Sequence, residues 1–357
     1  MSETVDAPVA GALMAAEVAE QPAVWQRLLS DGSAAIAEVA AAIERRRPRF
    51  VLLAARGTSD HAALYAKYLL EVERGLPVGL VSPSTLTVYG SRPELADVLF
   101  VAVSQSGGSP DLRDSLVAAR ECGAITVAVT NDPSSGLAQA AEFSVDVHAG
   151  TERAVAATKS YTAELLALYL LLAGPDASAR TPLQRARAGL VEAGERTLAG
   201  DAAVQATAAR YRFTDRLVTT ARGFSYPTAR EAALKLMETS YLSAQAFSGA
   251  DLLHGPMAMI DADLPVVVVH TPGRGGRAMA PVIERLRQRG ADLVVVGERP
   301  ADDGPAIVLP VASDGVPEDL LPLLEILPLQ QLALYLARER GGNPDAPRGL
   351  SKVTETW

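Results

Sequence analysis

Residues 49–71 read RFVLLAARGTSDHAALYAKYLLE, and residues 215–238 read DRLVTTARGFSYPTAREAALKLME. Each stretch has an apolar run, the string Ala-Arg-Gly-x-Ser, and then a helical alternation of apolar and polar positions. A second apolar run follows each unit, DVLFVAVSQSGG in the first half and LPVVVVHTPGRGG in the second. Third runs, AITVAVTND and ADLVVVGE, come after further helical stretches. β-Branched apolar runs alternating with helices predict parallel sheets covered on both faces. The chain therefore reads as α/β, with two tandem doubly wound domains. The segments are 1–34 (helical, interrupted at Pro22), 35–175 (first domain), 176–204 (helical linker), 205–345 (second domain) and 346–357 (tail).

Composition narrows the function. The chain has 357 residues, 48% of them apolar, which is enough for a core in each domain. Lys and Arg are scattered and the net charge is -9, which argues against a nucleic-acid partner. Cys122 is the sole cysteine, so no disulfide framework or metal-ligand spacing exists and a reducing interior is expected. The first thirty residues carry Glu3, Asp6, Glu17 and Glu20 and lack a basic start followed by an apolar stretch, so no signal peptide is expected, and ELLALYLLLAG is too short to span a bilayer. The expectation is a cytoplasmic protein without membrane partner, cofactor or metal.

In open parallel sheets ligands lie beyond the carboxyl ends of the strands. That rule puts ARGTSDH, SQSGGS, ARGFSYP and HTPGRGG on the functional edges. In VAVSQSGGSPDL (101–112), Ser104, Gln105, Ser106 and Ser109 offer neutral donors. The glycines permit close backbone approach, and a helix N-terminus follows. The loop suits a phosphate monoester, and the same residues also suit an ordinary N-capping turn. HTPGRGG lacks the paired serines, so one phosphate site per chain, in the first domain, is expected.

In the second half Glu231, Lys235 and Glu238 fall near one helix face, either as exposed ion pairs or as a site. His254, followed by Gly255 and Pro256, sits on a turn, in a structural role or facing a cleft. His61, His148 and His270 read as structural. No Gly-x-Ser-x-Gly elbow supports a serine hydrolase. The tail NPDAPRGLSKVTETW reads as a frayed end, apart from its cations Arg348 and Lys352.

Together the pieces ARGTS, SQSG, ATKSYT, EAALKLMETSY, HGPMAMID, LPLQQLALYLARERG and DAPRGLSK resemble the sugar isomerase (SIS) family, in family order from about Met14 to Thr354. The likeness is to the isomerase half of glucosamine-6-phosphate synthase and to shorter amino-sugar-6-phosphate deaminases. The resemblance implies two SIS domains and a sugar phosphate held by Thr58, Ser59, Ser104, Gln105, Ser106 and Ser109, with Ala157 and Ser351 also at the sugar site. It implies that Glu238 moves the proton between C1 and C2 and that His254 assists ring opening. Lys352 would contact, or form an imine with, the open-chain carbonyl, and Lys235 would support the site. It further implies a homodimer in which His254 reaches the neighbour's pocket. The synthase's glutaminase domain and its cysteine nucleophile have no counterpart in this sequence, so glutamine-driven synthesis is not expected. Met237 stands where the synthase often has lysine, and Ala157 where it has serine.

The expected activity is glucosamine-6-phosphate deaminase/isomerase, giving fructose 6-phosphate and ammonia. The alternatives are N-acetylglucosamine-6-phosphate dehydration by β-elimination and, in another class, a non-catalytic sugar-phosphate sensor.

Overall fold

The computed structural model describes residues 9–300 and 304–352. The start of the expected N-terminal segment (1–8) and the end of the expected tail (353–357) lie outside the described residues. The first half contains β1 (Phe50–Ala54), β2 (Val78–Leu80), β3 (Val98–Ser104), β4 (Ile125–Thr130) and β5 (Phe143–Asp146). The second contains β6 (Arg216–Ala221), β7 (Ser243–Ser248), β8 (Pro265–His270), β9 (Asp292–Gly297) and β10 (Ile307–Leu309).

Each half forms one five-stranded sheet, ordered β2-β1-β3-β4-β5 and β10-β9-β8-β6-β7. Read from the other edge, the second order is the first one repeated. Every pairing is parallel, with registers such as Leu53↔Val101 and Val218↔Val266. β3 and β4 are buried at every position, as continuous Val, Ile and Ala runs require when helices cover both faces. The α/β expectation of two parallel sheets covered by helices is met.

Five helices position the functional edges: α1 (Thr58–Leu69), α2 (Pro110–Glu121), α3 (Lys159–Leu172), α4 (Tyr226–Ser240) and α5 (Leu321–Glu339). α3 is buried at every residue and α5 at nearly every one. The stretch Glu318–Glu339 is long and apolar enough to cross a bilayer, but 94% of its 18-residue apolar window is buried inside the protein. α1 packs on α3, α4 packs on α5, and α1 meets α4 where the halves join.

The N-terminal helices Ala12–Ala19 and Gln21–Arg27 enter the core. Trp25 is fully buried and its Nε1 donates to Thr162 Oγ1 at 3.0 Å. The Asp345 carboxylate accepts the Leu13 and Met14 amides at 3.1 and 2.8 Å, tying this segment to the chain's far end.

β2, β7 and β10 were not legible as strands. β2 and β10 are three-residue edges, and β7, Ser-Ala-Gln-Ala-Phe-Ser, is mostly small and half-exposed. Such segments carry little hydrophobic period.

Candidate functional site

The strand order reverses direction between β1 and β3, where the loops leaving both strands diverge and open a crevice. A cavity of about 330 Å³ lies there. Arg56 lines it from the first loop, Thr58 and Ser59 from the start of α1, and Ser104, Gln105, Ser106 and Ser109 from the end of β3 and the loop after it. Val155 and Ala157, Lys235 and Glu238 of α4, and Leu350, Ser351 and Lys352 complete the wall.

The loop after β3 is braced by its own hydroxyls. Ser104 Oγ accepts the Gly107 amide and Ser106 Oγ the Gly108 amide, both at 3.2 Å. Gly107 has φ +59, and a Cβ there would stand 2.1 Å from Ser135 Oγ, so a side chain is excluded on both counts. Ser109 Oγ donates to Asp111 Oδ1 at 2.7 Å.

α4 brings the second half's chemistry to this loop. Lys235 is fully buried, 2.5 Å from Glu238 Oε2 and 3.4 Å from Glu231 Oε1. Burial works against its ammonium, yet Glu231 and Glu238 outweigh that and raise its pKa. Glu231 is also fully buried. It accepts from Thr58 Oγ1 at 3.1 Å and pairs with His61 Nδ1 at 2.7 Å, both on α1. An exposed ion-paired face is thereby ruled out for Glu231 and Lys235. His61, read from sequence as structural, is a member of this buried cluster beside the cavity.

Lys352 reaches the cavity from the chain's end. Its Nζ donates to Glu152 Oε2 at 2.7 Å. Glu152 is buried and also accepts from the Thr158 and Ser160 amides at 3.0 Å and from Ser160 Oγ at 2.7 Å. Burial opposes its charge, but the Lys352 ammonium and these amides hold its carboxyl below the ordinary value. Glu17 in turn accepts the amides of Arg153 and Ala154, so the N-terminal helix fixes the loop that carries Val155 and Ala157.

Beneath the cavity Ser59 Oγ donates to Glu164 Oε1 at 2.9 Å. Burial pushes the Glu164 carboxyl up to about 8. The second half repeats this contact, with Ser225 Oγ donating to Glu325 Oε1 at 2.8 Å. A second cavity, of about 500 Å³, lies at the equivalent edge, lined by Gly223, Phe224, Arg274, Gly275 and Glu318. Aligning the Ala-Arg-Gly runs pairs Thr58 with Phe224 and Glu238 with Val72. Counting back from the paired glutamates sets Ala157 against Glu318. The Glu318 carboxylate accepts the Arg274 and Gly275 amides at 2.8 and 2.7 Å. The second cavity thus has Phe224 and Val72 where the first has Thr58 and Glu238.

Of the residues singled out from sequence, Thr58, Ser59, Ser104, Gln105, Ser106, Ser109, Ala157, Lys235, Glu238, Ser351 and Lys352 all line the first cavity. His254 does not. It is exposed, on the turn after the helix Gly249–Leu253. Arg56, Glu152 and Glu164 were missed. Arg56 was legible in ARGTS; the two glutamates acquire their places only through long-range packing. Among the described residues no group of three or more His, Cys, Asp or Glu side chains is arranged to hold a metal ion.

A family model described as SIS domain matches residues 46–174 and 212–303. An isomerizing glutamine–fructose-6-phosphate aminotransferase from Gloeobacter violaceus is 34% identical over 367 residues, covering 95% of this chain and 58% of that protein. The chain therefore spans little more than half the length of that relative. The structure of a candidate phosphosugar isomerase from Silicibacter pomeroyi is 33% identical with a TM-score of 0.76, covering 93% of this chain and 99% of that one. A glucosamine-6-phosphate deaminase from Thermotoga maritima, 19% identical with 96% and 100% covered and a TM-score of 0.75, shares the fold. By sequence, by fold and by the family model's match to both halves, the chain belongs to the SIS domain family.

Proposed function

We propose that the first cavity takes an amino-sugar 6-phosphate and that Glu238 removes the proton from C2 of its open-chain form. The observation that carries this reading is the meeting, in one cavity, of Glu238 and Lys235 with the hydroxyl-rich loop Ser104–Ser109. The loop offers neutral donors to the phosphate, leaving the carboxylate side for the reacting carbons.

The C1 carbonyl acidifies the hydrogen on C2. Glu238 takes that proton, and negative charge develops on O1. The ammonium of Lys352, held by Glu152 at 2.7 Å, contacts the carbonyl end and stabilises this charge. Lys235, fixed between Glu231 and Glu238, orients the base. Glu238 returns the proton to C1 while O1 takes up a proton and the C2 amine gives one up, leaving a C1 hydroxymethyl group and an imine at C2. Water hydrolyses the imine to fructose 6-phosphate and ammonia. The name of the Gloeobacter relative also carries fructose 6-phosphate.

Ring opening needs a group that shuttles a proton between the ring oxygen and the anomeric oxygen near neutral pH. Histidine suits that task. His254 is exposed and outside its own chain's cavity, so in this reading a second copy of the chain supplies it, in a homodimer.

The test is to incubate the protein with glucosamine 6-phosphate and, separately, with N-acetylglucosamine 6-phosphate. Ammonia and fructose 6-phosphate from the first support deamination. A new ultraviolet chromophore from the second, without ammonia, makes the enzyme a dehydratase acting by loss of the C3 hydroxyl. Binding without turnover of either makes it a sensor.

A further inference from the structure

The cavity carries an electrostatic problem that its hydroxyl loop does not solve. Its cations are Arg56, Lys235 and Lys352. Lys235 lies between two carboxylates and Lys352 on a third. Asp111, only 5% exposed, adds a fourth at the start of α2, directly behind the loop that would receive the phosphate. A dianion entering there meets a buried negative charge in a chain whose net charge is already -9.

Arg56 lines the cavity and pairs with Asp111. Its Nε and Nη2 both donate to Asp111 Oδ2, at 3.0 and 2.5 Å. Both bonds fall on one carboxylate oxygen and use one edge of the guanidinium. The side chain remains 47% exposed and forms part of the cavity wall. Guanidinium is planar, carries five donors in a fixed fork and matches phosphate geometry.

We propose that Arg56 is the cationic partner of the ligand's phosphate, and that until the ligand arrives its ion pair with Asp111 offsets that buried charge. Arg56 is the binding residue, and Asp111 is the opposing charge that it offsets. The pair sets the site's selectivity for a dianionic phosphate ester over the unphosphorylated sugar. This inference rests on the reading of the cavity as a sugar-phosphate site.

The two partners act in opposite directions on binding. Arg56→Ala removes the cation that would meet the phosphate and that pairs with Asp111. Asp111→Asn removes the opposing charge and releases the guanidinium to the ligand. A mere brace between the loop after β1 and the start of α2 would be weakened by either change.

The experiment is isothermal titration of the full chain with glucosamine 6-phosphate and with inorganic phosphate, repeated across salt concentrations. Arg56→Ala is expected to weaken sugar-phosphate binding by about 10- to 100-fold, the scale of lost hydrogen bonds to a charged group, and to make affinity less salt-dependent. Arg56→Lys recovers part of the affinity, and Asp111→Asn binds as tightly as the unmodified chain or tighter. The proposal is overturned if Arg56→Ala binds within about twofold of the unmodified chain, or if Asp111→Asn loses as much as Arg56→Ala. Should Arg56→Ala fail to fold, Arg56→Lys against Asp111→Asn decides by the same comparison. Failure of the unmodified chain to bind glucosamine 6-phosphate would sink the functional reading itself, whereas binding that ignores Arg56 sinks this inference alone.

Discussion

Lys235 Nζ donates to Thr58 Oγ1 at 3.0 Å. The bond joins a helix of the second half to the first turn of a helix in the first. The same ammonium touches Glu231 and Glu238, so the candidate base and the first turn of α1 are held in one frame by one buried cation. Lys235→Ala strands two carboxylates without their cation. Breaking a buried ion pair from one side costs about 3–5 kcal/mol. Urea denaturation is expected to show a loss of that order, and a loss under about 1 kcal/mol would mean the cluster is open to water.

Glu164 carries a pH signature. Its carboxyl is pushed up to about 8 from an ordinary 4.5 by burial. The folded chain therefore holds a proton that the unfolded chain has released between those values. Native stability from this group is fully present below about 4.5 and falls as pH rises toward 8. Glu164→Gln keeps an acceptor for Ser59 Oγ and removes the titration. Its stability relative to the unmodified chain should rise with pH across that window, by a few kcal/mol at most. Parallel curves for the two proteins would show that Glu164 titrates normally.

Ser104 and Ser106 should matter to the ligand and to the loop together, since each hydroxyl accepts a loop amide. The double substitution Ser104→Ala, Ser106→Ala is expected to weaken hexose 6-phosphate binding, each lost bond to a charged group costing roughly 1.5–3 kcal/mol. Circular dichroism should stay unchanged, because the sheet does not depend on the loop. Unaltered affinity would remove this loop from the phosphate site.

Much of this arrangement could be read from sequence wherever a local pattern carries the information. ARGTS and ARGFS mark a strand, a turn and a helix start by residue type alone, and the spacing of Lys235 and Glu238 puts both on one helix face. The serine loop between β3 and α2 was legible for the same reason. Glu152 and Glu164 were not, because a buried glutamate looks like any other until Lys352 or Ser59 arrives from a distant part of the chain. Trp25 was hidden similarly: its segment reads as a helix packed on the body, and only the long-range bond to Thr162 shows that the indole enters the core. β7 escaped because its residues are small and half-exposed. The parallel between Glu164 and Glu325 emerged only when each was seen accepting from the serine of its own Ala-Arg-Gly-x-Ser string.

His254 is the one expected site residue outside the cavity, which makes assembly testable. Subunits carrying Glu238→Gln and subunits carrying His254→Ala are each expected to be inactive. Mixed and allowed to exchange, they should regain part of the activity, since one pocket of the hybrid then holds both groups. No recovery, with hybrids verified by native mass spectrometry, would mean that Glu238 and His254 serve the same chain's pocket.

The most direct test of Glu238 as the base is hydrogen exchange at C2 in heavy water. Glutamine at this position keeps the shape of the side chain and loses its capacity to accept a proton, so glucosamine 6-phosphate should still bind. With the unmodified chain, deuterium is expected to enter the sugar pool during turnover. With Glu238→Gln, exchange at C2 should fall by about 100-fold or more, the scale of a lost general base. Exchange at the unmodified rate in a variant that binds the sugar normally would contradict the assignment of Glu238 and, with it, the proposed chemistry of the cavity.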